Sequence, residues 1–140
     1  MKIEDAVSEV ARKFSYTADQ PILSLFDHWM VMKEDDGWLS GDCDDFAVTA
    51  LWKRCDESLL KFILNVMILH KYRLYFAKTH SGERHIVGYA DGLFFDNWTK
   101  QPLPKEEFLN ITKHRIWFFF PSPFMTAQLL LGLIMRNVKR

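Results

Sequence analysis

Apolar and polar positions recur with two different periods along this chain, and the change of period divides it. In the first half apolar residues return every three or four positions. Ile3, Ala6, Val7, Val10, Ala11 and Phe14 share one face of a helix over Ile3–Phe14. Ser15–Pro21 reads as a break and Ile22–Lys33, rich in Leu, Phe, Trp and Met, as a second helix. Glu34-Asp35-Asp36-Gly37 reads as a polar loop with a helix-stopping glycine. The helical spacing resumes at Cys43, Phe46, Ala47, Ala50 and Leu51, predicting a central helix over Cys43–Arg54. Glu57–Ile63 is a short helical or irregular piece.

After that the period shortens. Asn65–His70 and Tyr72–Lys78 carry β-branched and aromatic residues and predict strands, with Thr79–Glu83 a turn. His85–Ala90 and Leu93–Trp98 predict two more strands around Asp91-Gly92, a dipeptide that closes tight hairpins. Gln101–Phe108 reads as a proline-containing loop and turn, and Ile116–Phe120 as a last strand. Helices followed by strands predict an α+β domain, with a central cysteine-bearing helix packed on an antiparallel sheet.

Composition narrows this picture. A chain of 140 residues fits one domain, and 49% hydrophobic and 15% aromatic content make it an ordered globular one. Eighteen basic residues balance eighteen acidic ones, so no basic field points to nucleic acid. Cys43 and Cys55 are too few for a disulfide framework, and their spacing is not that of a metal-binding pair. The N-terminus has neither an apolar signal core nor a cleavage site, which predicts a cytoplasmic protein with reduced thiols.

The C-terminal segment 116–138 is strongly apolar. Pro121 and Pro123 interrupt it, leaving Phe124–Val138 too short to span a bilayer as a helix. It reads as a buried core helix, as a surface for a protein partner or second copy, or as a membrane-surface helix with Arg136, Lys139 and Arg140 at the headgroups. The same segment is also placed to cover a cleft.

The chemistry concentrates at Gly41-Asp42-Cys43-Asp44-Asp45-Phe46-Ala47. Asp42 is a good N-cap, and Asp44 and Asp45 fall in the first helical turn, where the helix dipole favours carboxylates. Cys43 opens the buried stripe. A helix N-terminus lowers a thiol pKa, whereas three neighbouring aspartates raise it, so a reactive Cys43 requires a cationic partner. The hairpin supplies one. If Asp91-Gly92 is a two-residue turn, His85, Val87, Asp96 and Trp98 project from one side. His85 and Asp96 are then diagonal neighbours at roughly 7 Å, close enough for the carboxylate to orient the imidazole. Nucleophile, base and orienter are thereby all present.

These three blocks, with His85-Ile86-Val87 and Phe95-Asp96-Asn97, resemble the bacterial transglutaminase-like cysteine proteinases of the papain-like/transglutaminase-like superfamily. The match runs from Trp38 to about Trp98. It departs at Asp44, where Glu is commoner, and at Phe95, where an aliphatic residue is usual. The resemblance implies a Cys43–His85–Asp96 triad and a cysteine protease acting on a protein or peptide. It also implies a small, phage-encoded member of the family. The Cys43 amide is its first candidate for an oxyanion donor. Trp38 is a second candidate or a core tryptophan, and Gln20 a third. Transamidation or deamidation of glutamine is an alternative outcome of the same chemistry. A non-catalytic interaction or structural protein docking through Phe124–Val138 is the alternative from another class. No cofactor is required, although secreted members use calcium, for which Asp42, Asp44 and Asp45 are candidates by resemblance. Helix capping explains the same residues, and three contiguous carboxylates lack the spaced oxygens calcium prefers.

Overall fold

The computed structural model describes residues 1–16, 31–32, 34–119, 123 and 126–127. The expected helix over 22–33, apart from 31–32, lies outside the described residues, as do Gln20 and nearly all of the expected helix over 124–138.

The first expected helix is α1, Ile3–Lys13, and it buries Ile3, Ala6, Val7 and Val10 as its spacing requires. It runs directly into β1, Phe14–Tyr16, where a break is expected. The polar stretch from Glu34 is the second difference. It forms a small hairpin of β2, Glu34–Asp35, and β3, Trp38–Gly41. Asp36 and Gly37 both have positive φ, 51° and 83°, which is the conformation of a two-residue hairpin turn rather than a helix stop. β3 pairs parallel with β1 and antiparallel with β2.

Helix α2, Cys43–Arg54, has the expected bounds. A capping box starts it: the Asp42 carboxylate accepts the Asp45 amide and the Asp45 carboxylate accepts the Asp42 amide, each at 3.3 Å. Its far end is tied to the β-hairpin turn, where Arg54 donates to both carboxylate oxygens of Asp91 at 2.8 and 3.2 Å.

The expected strand over Asn65–His70 is absent. Ser58 caps a short α3, Leu59–Phe62, that widens into a π-helix over Ile63–Ile68. The Leu69 amide reaches back five residues to the Leu64 carbonyl at 2.8 Å. The apolar run has no strict alternation, and in the folded chain it buries only Val66 while Ile68 and Leu69 stay exposed. A run of that kind fits strand or helix by composition, and continuity with the capped turn before it decides for helix.

The main sheet is antiparallel, in the order β6-β5-β4-β7. β4 is Arg73–Lys78, β5 Arg84–Ala90, β6 Leu93–Phe95 and β7 Arg115–Phe119. Ala90 faces Leu93 across a turn in which Asp91 and Gly92 have φ of 54° and 81°, so the two-residue hairpin holds. β6 ends at Phe95, short of the expected Trp98. Asp96 turns the chain there by accepting the amides of Trp98 and Thr99 on its own side chain, at 3.0 and 2.8 Å. The expected loop holds over 101–104, and its second half is instead the start of a helix, α4, Lys105–Thr112. Pro104 stands at its N-terminal boundary, where a missing N–H costs nothing, and Glu106 and Glu107 complement the dipole of the first turn.

The alternation along β5 divides the core. Ile86 and Ala90 join a larger cluster with α1, α2 and Phe95. Val87 joins a smaller one with Ala77, Phe94 and Phe108 of α4. α2 thus covers one face of the sheet, with α1 packed against α2, and α4 lies on the other face.

Candidate active site

Two of the three expected site residues meet directly. His85, second residue of β5, places its Nε2 2.8 Å from Asp96 Oδ2. Both are buried, His85 at 4% exposed and Asp96 at 0%. Asp96 reaches this position because β6 ends one residue earlier and the Asp96 turn folds the side chain back over the start of β5. Trp98, carried on that turn, sits with its ring 5.4 Å from the His85 ring and remains 53% exposed, a half-open cover over the pair.

The fourth member was not expected. His114 lies on the short link between α4 and β7 and points its Nε2 at the same Asp96 Oδ2, 2.9 Å away. Its position is fixed locally. Lys113 takes a left-handed conformation, φ 60°, that ends α4, and the His114 amide donates to Thr112 Oγ1 at 3.2 Å. The ring stands 4.6 Å from His85, 4.7 Å from Trp98 and 5.9 Å from Phe108, centre to centre. In the sequence, His114 sits between Lys113 and Arg115 and looks like part of an exposed cationic patch. The signal that could have found it is Phe108 and Thr112 at helical spacing, which turns the end of α4 inward.

Asp96 therefore accepts four hydrogen bonds, two on each oxygen. Burial pushes its carboxyl up, but the bonds from His114, His85 and the Thr99 amide outweigh burial and hold it well below the usual carboxylate range. It is an anion at any pH near neutrality.

Cys43 is the first residue of α2, half-buried at the edge of the larger core cluster. It carries a thiol rather than a disulfide, as does Cys55. The capping box takes the Asp45 amide rather than that of Cys43. Trp38 is 56% exposed on β3, so it is not a core residue. Cys55 is buried, and burial pushes its thiol up to about 11, which makes it chemically quiet.

Among the described residues, two groups of side chains bring ligand atoms within 4.8 Å of one another: His85, Asp96 and His114, and Asp42, Asp44 and Asp45. In the first, the 2.8 and 2.9 Å separations are those of direct hydrogen bonds. In the second, Asp42 and Asp44 both accept the Asp45 amide, and Asp45 accepts the amide of the N-cap residue Asp42. Calcium takes six to eight oxygens, and three carboxylates clustered at one helix start, each already accepting an amide, do not supply that set.

No helix among the described residues is long and apolar enough to cross a membrane. No family model matches the sequence, and neither does any curated protein. Among solved structures, Legionella pneumophila LapG is similar in fold, with a TM-score of 0.50 and 17% identity over 86% of this chain. The chain spans 66% of LapG, just under two thirds of its length. The helices on an antiparallel sheet make this an α+β fold, as the sequence predicts, and it is like that of LapG.

Proposed function

We propose that this protein is a thiol hydrolase, a cysteine protease acting on a protein or peptide substrate through Cys43, His85 and Asp96. The observation that carries the reading is the buried His85–Asp96 pair, in which Nε2 is committed to the carboxylate. Nδ1 is then the nitrogen left to exchange a proton with a thiol. Helix geometry supports the approach of Cys43. α2 packs on β5, and Arg54 pins its C-terminal end to Asp91, at the opposite end of β5 from His85. Twelve helical residues rise about 18 Å, and the strand from His85 to Asp91 covers about 20 Å. A helix laid back along the strand from Arg54 brings its first turn to the His85 end. His85 projects on the face opposite Ile86, so thiol and imidazole would meet around the end of the sheet.

In this mechanism His85 takes the thiol proton, and the Cys43 sulfur attacks the carbonyl carbon. The tetrahedral intermediate collapses as His85 gives its proton to the leaving amine, breaking the C–N bond. Water, deprotonated by His85, then releases the acid and regenerates the thiol. Asp96 holds the imidazole with Nε2–H inward and stabilises its charged form. An amine in place of water would give transamidation through the same acyl-enzyme.

The test is the pH dependence of iodoacetamide alkylation at Cys43 in a Cys55→Ser background. The expected result is rapid labelling well below the ~8.5 of an ordinary cysteine, lost in His85→Ala. Labelling that follows an ordinary thiol and ignores His85 would remove this reading.

A further inference from the structure

We propose that His114 is a positioning residue for the His85–Asp96 pair: a neutral imidazole that donates its Nε2–H to the same carboxylate oxygen and so limits how tightly that oxygen holds the His85 proton. The proposal rests on the reading of His85 as the base of the site.

Asp96 Oδ2 accepts from two imidazoles at nearly equal distances, 2.8 Å from His85 and 2.9 Å from His114. Its other oxygen is already occupied by the Trp98 and Thr99 amides. The anion's capacity is therefore divided, and His85 receives a share of it rather than the whole. The tautomer of His114 follows from its surroundings. Its side chain is 0% exposed, and Nδ1 is buried with no hydrogen-bond partner among the described residues. A charged ring would carry an N–H there with no acceptor among the described residues, whereas a neutral Nε2–H ring leaves only a lone pair unmet. A second cation 4.6 Å from the His85 ring would also oppose the imidazolium that His85 must become.

The titratable groups facing His114 are His85 from β5 and Asp96 from the turn after β6. Trp98 from that turn and Phe108 from α4 close the other sides with rings that do not titrate. α2, packed on β5, carries Cys43, Asp44 and Asp45 in its first turn. A packing role would require only a ring-sized side chain at position 114. The positioning role requires an N–H aimed at Asp96.

Histidine-labelled full-length protein, followed by long-range nitrogen–proton NMR across pH 5–8, separates the two. In the native protein at pH 8 His114 is expected to carry its proton on Nε2, facing Asp96, with Nδ1 bare. In His114→Leu the titration midpoint of His85 is expected to move up by about one pH unit, because Asp96 Oδ2 is left to His85 alone. In His114→Gln, whose amide N–H can donate to the same oxygen, it stays near the native value. A native His114 that at pH 8 carries its proton on Nδ1 overturns the proposal. So does an unmoved His85 in a folded His114→Leu protein. The native spectrum decides even if the leucine variant does not fold. If alkylation of Cys43 ignores His85→Ala, the protease reading falls, while the shared carboxylate is still judged by the spectra.

Discussion

Replacing Asp96 by asparagine preserves the shape of the site and reverses its polarity. The side-chain oxygen can still accept the Trp98 and Thr99 amides. The other oxygen becomes an NH2 group facing two Nε2–H donors at 2.8 and 2.9 Å. Both imidazoles must then move their protons to Nδ1. For His114 that places an N–H on an atom that is buried without a partner among the described residues. For His85 it occupies the nitrogen proposed to accept the thiol proton. Two charge-assisted bonds, net ~1.5–3 kcal/mol each, are exchanged for neutral ones of ~1 kcal/mol, and one buried donor is orphaned. The expected loss is about 3 kcal/mol, or about 1.5 M in urea midpoint. The dependence on pH carries a sign. A folded carboxyl held below its unfolded value contributes stability that is fully present above ~pH 4 and lost as pH falls toward the depressed folded value. The gap between native and Asp96→Asn should therefore be widest near neutrality and shrink below ~pH 4. Urea unfolding followed by tryptophan fluorescence at pH 7, 5 and 3 measures it, with Trp98 close to both imidazoles as a local reporter. A loss under ~1 kcal/mol at pH 7, or the same acid dependence in both proteins, would refute the four-bond account of Asp96.

Two further outcomes follow from packing and burial. Gly88→Ala should cost about 2–3 kcal/mol in calorimetric stability, because a Cβ there overlaps the fully buried Phe95 ring on the facing strand, which has no room to retreat. Cys55, its thiol pushed up to about 11 by burial, should resist iodoacetamide at pH 8 in the folded protein and react as an ordinary thiol in urea, read by mass spectrometry in Cys43→Ser.

Much of the architecture was legible because it is decided locally. Asp42 beside a three-to-four spacing of apolar residues fixes the start of α2 through its own cap chemistry. Asp91-Gly92 fixes the hairpin because few residue pairs accept positive φ at both positions, and the hairpin brings the His85 end of β5 beside Asp96. Where local preference was balanced, the sequence misled. The apolar run from Ile63 suits strand or helix equally, and Pro104 marks a helix boundary as readily as a loop. Glu34–Asp35 reads as loop by composition and forms a strand only because β3 lies beside it.

The interior of the site belongs to a different level. His114 is 18 residues from Asp96 and flanked by two cations, and the only local hint of its burial is the spacing of Phe108 and Thr112 before it. Its burial depends on α4 packing beneath β6 and on the turn at Lys113 that swings it inward. Spacing brought His85 and Asp96 together from sequence alone, because strand geometry carries that information over a few residues. How many donors that carboxylate serves, and so how it divides its charge, depends on surfaces that meet only when the chain is folded.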